Sequence, residues 1–149
     1  MIACLSAKAT NREALTQGRT MKSIVVIDDK DHALKQAIYE FPNIEKNQLS
    51  FRHFDTISAF RSAKLANIFI LFLDFFLSKD KDYGTTVIPE IECEHLICFS
   101  SMKQMSDHMY EIAAKIGPPR IQHVYSVQKI KSQIDNYQLK QVLKEILCA

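Results

Sequence analysis

The stretch Asn67-Ile-Phe-Ile-Leu-Phe-Leu-Asp74 constrains this chain most. Its six consecutive apolar residues, Ile68 to Leu73, are β-branched, aromatic or leucine, and they end on a carboxylate. A continuous apolar run of this length reads as a strand buried on both faces, as in a parallel sheet covered by helices. A core helix has no distinguishing period over so few residues. Asn67 before the run and Ser78-Lys-Asp-Lys-Asp-Tyr-Gly84 after it leave room only for a short element. Asp74 then stands at the carboxyl end of a central strand, the edge at which open α/β sheets bind ligands. The plainer alternative is a carboxylate that caps the next turn.

A second run shifts the balance. Ser23-Ile-Val-Val-Ile27 is another short apolar strand, and it leads directly into Asp28-Asp29-Lys30-Asp31. If the two strands lie side by side in a parallel sheet, Asp28, Asp29 and Asp74 converge at one edge. Like charges packed this closely repel, and protonation or a bound cation must relieve them. Oxygen ligands without His or Cys suit Mg²⁺, which keeps several waters and takes one or two carboxylates plus phosphate oxygens.

The order of these landmarks resembles the receiver domain of two-component response regulators. Ile24-Val-Val-Ile-Asp-Asp29 is followed by Asp74. His95-Leu-Ile-Cys-Phe-Ser-Ser101 is similar to the fourth receiver strand, which ends in Ser or Thr, and Val124-Tyr-Ser-Val-Gln-Lys129 to the fifth, which ends in lysine. The likeness runs from Met21 to Leu147. It implies a doubly wound, flavodoxin-like receiver fold with five parallel strands. It also implies a site in which Asp74 accepts a phosphoryl group while Lys129 and Ser100 meet phosphoryl oxygens. Asp28, Asp29, Asp74 and the backbone carbonyl of Phe76 would hold Mg²⁺, Asp28 through water. The implied partners are a histidine kinase or phosphotransfer protein as donor and a downstream protein as receiver of the signal. The chain would act as a stand-alone switch and not as an enzyme.

The chain departs from that pattern in several places. The loop after Asp74 is longer than usual and lacks the usual proline. The third helix must fit between Thr85 and Glu92, around Pro89, and is therefore short. The aromatic switch residue belongs three positions before the lysine, where Ser126 stands; Tyr125 is one off. Lys129 therefore has an alternative as a solvated residue at the start of the last helix. Ser100 has one as a strand-end hydroxyl, with Ser101 next in line if the register slips by one. Two further readings of the chain remain. One is a receiver-like interaction module that no longer switches. The other is a Mg²⁺-dependent aspartyl phosphohydrolase built on Asp29-Lys-Asp31.

The remaining sequence fits one α/β domain over residues 21–149. Helices are expected at about 32–41, 57–66, 104–116 and 132–147, alternating with strands at about 23–27, 49–54, 68–74, 96–99 and 121–127. Met105, Met109, Ile112, Ala113 and Ile116 recur on one helical face and read as core. Residues 1–20 lack apolar periodicity and read as a flexible leader. A net charge of +2 carries no nucleic-acid or membrane footprint, and three glycines leave no Gly-rich phosphate loop. Cys4, Cys93, Cys98 and Cys148 show no disulfide spacing and follow no secretory signal, which points to a cytoplasmic setting. A zinc site on Cys93, His95 and Cys98 fits no common ligand spacing.

Overall fold

The computed structural model describes residues 22–29, 34–40, 48–79, 81–130, 133–134 and 136–147. The expected leader and Asp31 lie outside them, as do Cys4 and Cys148. Strand β1 (Lys22–Ile27) leads to helix α1 (Leu34–Tyr39), β2 (Leu49–Phe54), α2 (Ile57–Ala63) and β3 (Ile68–Asp74). A hairpin of two short strands follows, β4 (Phe76–Leu77) and β5 (Asp82–Tyr83). Then come β6 (Cys93–Ser100), α3 (Lys103–Ile116), β7 (Ile121–Ile130), β8 (Gln133–Ile134) and α4 (Asn136–Leu147).

Five strands, β2-β1-β3-β6-β7, lie parallel in that order, and β8 adds an antiparallel pair at the far edge. The first crossover steps outward from β1 to β2, and the chain then returns past β1 to β3. The reversal leaves a switch point between β1 and β3, as in flavodoxin-like sheets. The apolar run that ends in Asp74 is β3, the middle strand of the five. Ile70, Leu71, Phe72 and Leu73 are fully buried, as covering on both faces requires.

Each face has its own core. Val25, Ile27, Leu71 and Leu73 pack with Ile57 and Phe60 of α2 and with Met109 and Ala113 of α3. Ile24, Val26, Ile70 and Phe72 pack with Leu34 and Ile38 of α1 and with Leu139 and Leu143 of α4. The period-2 alternation along β1 and β3 thus sorts neighbouring residues to opposite layers. Met109 and Ala113 are fully buried, so the methionine face of α3 is core. Thr56 caps α2 by accepting the Ala59 N–H at 3.1 Å. Gly117, at φ 58°, ends α3.

Several boundaries differ from the sequence reading, three of them near the site. The third helix is reduced to two single 3₁₀ turns, Gly84–Thr86 and Ile88–Glu90, with Pro89 in the first turn of the second, where its missing N–H costs nothing. Strand β7 continues past Val127 to Ile130, because Lys129 and Ile130 pair back onto β8. That pairing takes Gln133 and Ile134 out of the last helix, which begins at Asn136 instead of Ser132.

Candidate functional site

The carboxyl ends of β1 and β3 bring Asp28, Asp29 and Asp74 together. One carboxylate oxygen of each lies within 4.8 Å of the others. The parallel register pairs Ile27 with Leu73, so the next residues, Asp28 and Asp74, leave the sheet side by side. Asp28 is fully buried and Asp74 is 4% exposed. The chain around Asp28 is held by its N–H on the Phe54 carbonyl at 3.0 Å and by its own carbonyl against His53 Nε2 at 2.7 Å.

Lys129 closes this cluster. Its ammonium lies 2.9 Å from Asp74 Oδ2 and 3.7 Å from Asp28 Oδ1, and the side chain is 8% exposed. The solvated alternative for Lys129 therefore does not hold: it sits inside β7, buried against the acids. Asp74 Oδ1 accepts the Phe75 N–H at 2.8 Å, so both oxygens of this carboxylate are oriented. Burial, then Asp28, push the Asp74 carboxyl up to about 7, against the pull of Lys129. The donor set is oxygen only, and Asp29 keeps one side toward solvent. It fits a hard divalent cation that retains water, such as Mg²⁺.

Ser100 is the last residue of β6, one beyond Phe99, which pairs with Asp74. It is buried, whereas Ser101 is exposed. Its Oγ accepts the Met102 N–H at 3.2 Å, which leaves its own proton uncommitted by that bond. The backbone between Asp74 and Phe76 is anchored by the Phe75 N–H on the Phe99 carbonyl at 3.1 Å. The Phe76 ring itself is 44% exposed and lies against Tyr83.

The register around Lys129 also settles the aromatic position. Ser126, three residues before it, faces α3, where its hydroxyl donates to Asp107 Oδ1 at 2.7 Å and lies 2.9 Å from Ser106 Oγ. Tyr125 packs with the opposite core, where its hydroxyl meets His95 Nδ1 at 3.1 Å. The residue three before Lys129 thus presents a hydroxyl to α3, and Tyr125 lies on the other face. Cys93 and Cys98 lie in the α2–α3 core, with burial raising both thiols, Cys93 to about 12. Neither belongs to a metal-capable group among the described residues.

Two contributors were not legible beforehand. Ser78 donates its backbone N–H to Asp29 Oδ2 at 3.1 Å, and its hydroxyl donates to the same oxygen. Gly84 lies directly over the strand end, where any Cβ would strike the Asp74 carbonyl oxygen. The only signal for either was the polar, proline-free loop after Asp74.

The sequence matches no protein-family profile and no curated protein. Among the solved structures similar to this chain are two response regulators. One is a response regulator protein from Burkholderia pseudomallei, with a phosphorylated aspartic acid, calcium ion and citrate. It is 15% identical over 84% of this chain and 66% of its own, with a TM-score of 0.49. The other is a response regulator from Thermotoga maritima, 14% identical over 87% of this chain and 99% of its own, with a TM-score of 0.48.

Proposed function

We propose that this chain is a receiver that accepts a phosphoryl group on Asp74 and signals through a protein partner. The observation that carries this reading is the buried Lys129 ammonium, 2.9 Å from Asp74 Oδ2 and beside two further strand-end carboxylates. A buried lysine is costly unless it is paired, and here Asp74 and Asp28 pair it. Its place here suits pairing with a phosphoryl oxygen once Asp74 carries phosphorus.

The transfer forms a bond between an Asp74 carboxylate oxygen and phosphorus as the bond from phosphorus to the donor breaks. The donor would be a phosphohistidine of a kinase or phosphotransfer protein. Asp74 must be deprotonated to attack, and Lys129 favours that form. Once the phosphoryl group is in place, Lys129 pairs with one of its oxygens, and the Ser100 hydroxyl donates to another. Asp28, Asp29, Asp74 and the Phe76 carbonyl would hold Mg²⁺. A bound Mg²⁺ would neutralise charge on the transferring oxygens.

Intact mass after acetyl phosphate and MgCl₂ tests this. Wild type is expected to gain one phosphoryl group, and Asp74→Asn none. An unchanged wild-type mass would favour the second reading, an interaction module that does not switch. Ser126 supports that reading, because the position of the aromatic switch is taken by a hydroxyl already tied to α3. Steady release of phosphate from an aryl phosphate would point instead to a phosphohydrolase.

A further inference from the structure

We propose that Ser78 is a positioning residue for the cation site, holding the Asp29 carboxylate in its ligating orientation. The inference rests on reading Asp28, Asp29 and Asp74 as that site. Of the three acids, Asp29 is the one least held by its surroundings. It follows the end of β1 and is partly exposed, whereas Asp28 and Asp74 are buried. A carboxylate in that position samples several rotamers, and ordering it on cation binding costs free energy. Ser78 removes that freedom beforehand, because its N–H and its Oγ both donate to Oδ2. A carboxylate accepts about four hydrogen bonds or metal contacts in all, so two donors on Oδ2 leave Oδ1 to a cation.

The hairpin delivers Ser78 to this spot. Leu77, the residue before it, is fully buried in the α2–α3 core. Phe76 pairs with Tyr83 and Leu77 with Asp82, and the Gly84 N–H closes on the Phe75 carbonyl at 2.6 Å. Lys79, the residue after it, meets Asp55 at 2.6 Å on the surface. Ser78 is therefore placed by structure that does not involve Asp29, which is what an orienting group requires. A group that orients a metal ligand is worth about 10- to 100-fold in metal affinity. Ser78→Ala keeps the backbone donor, so the expected loss is smaller, about 3- to 10-fold.

The test is Mg²⁺ titration by calorimetry on the full chain, for wild type, Ser78→Ala, Ser78→Thr and Lys79→Ala. Phosphorylation by acetyl phosphate is followed across MgCl₂ concentrations on the same proteins. Ser78→Ala should bind Mg²⁺ more weakly, and its phosphorylation rate should return to the wild-type value at saturating Mg²⁺. Ser78→Thr keeps the hydroxyl and should restore the affinity. Lys79→Ala loosens the hairpin and removes a positive charge that interacts with Asp29, so it should bind Mg²⁺ no more weakly than wild type. Equal or tighter Mg²⁺ binding by Ser78→Ala overturns the proposal, and so does an equal loss in Lys79→Ala, which would assign the effect to hairpin order. A wild type that binds no Mg²⁺ removes the cation site itself, and the positioning role with it.

Discussion

Asp74 and Lys129 show how single residues set the behaviour of the site. The folded state holds a proton on Asp74 up to about pH 7, whereas an ordinary aspartate releases it near 3.8. Between those values Asp74 binds more proton in the folded chain than in the unfolded one. The contribution of this group to stability therefore falls as pH rises from about 4 to about 7, by up to about 1.4 kcal/mol per unit. His95 works in the opposite sense. Burial, His123 and Lys22 push it down to about 4, so its contribution is lost as pH falls through 6.5 toward 4. Comparing wild type with Asp74→Asn cancels the histidine. In EDTA the variant is expected to gain in melting temperature over wild type as pH rises from 5 to 7.5. A constant difference would mean that Asp74 titrates normally. Lys129→Met has the reverse expectation. It leaves Asp28 and Asp74 without their buried cation and should cost about 3 kcal/mol at neutral pH, measured by urea unfolding. Adding Asp74→Asn should recover part of that loss.

At the scale of elements, the hairpin β4–β5 stands in the loop expected after Asp74, and the two 3₁₀ turns stand where a short third helix was expected. Their geometry depends on Gly84. A Cβ there meets the backbone carbonyl of Asp74, and the Leu73 side chain at 3.1 and 3.2 Å, so neither rotamer changes nor side-chain shifts can make room. Gly84→Ala is expected to cost about 2 kcal/mol by chemical denaturation. It should also slow phosphorylation, because the backbone that moves is that of Asp74. A stable variant with wild-type phosphorylation would mean that the strand end tolerates displacement. By contrast, Lys103–Asp107 on α3 and Lys79–Asp55 are exposed pairs that solvent screens, and they add little to stability.

For the whole molecule, cation binding is expected to act as a stabiliser. Ligand that binds only the folded state adds about 2.7 kcal/mol at 100 times its dissociation constant. MgCl₂ should therefore raise the melting temperature of wild type at neutral pH, and NaCl at matched ionic strength should not reproduce the effect. Asp74→Asn should respond less. Equal responses to both salts would show charge screening and not a site. The two-layer core makes this a coupled effect: β1 and β3 carry the acids at their ends and the central core along their lengths.

The local chemistry of the chain determined the strands and the identity of the acids. Uninterrupted apolar runs form strands only where both faces are covered, so 23–27 and 68–74 were legible as neighbours in a parallel sheet, and Asp28, Asp29 and Asp74 as a cluster at its edge. Period-3.6 spacing likewise marked α3, and Thr56 marked the start of α2. What the sequence left open were properties of pairing between distant segments. Whether Lys129 was solvated or buried depended on β7 running on to pair with β8. Whether Tyr125 or Ser126 faced α3 depended on the parity of that strand, which a one-residue slip would reverse. The hairpin, and with it the Ser78–Asp29 contact, arises because Leu77 finds a place in the core and Gly84 lets the chain pass over Asp74. Those choices are made by space and partners that no window of sequence contains.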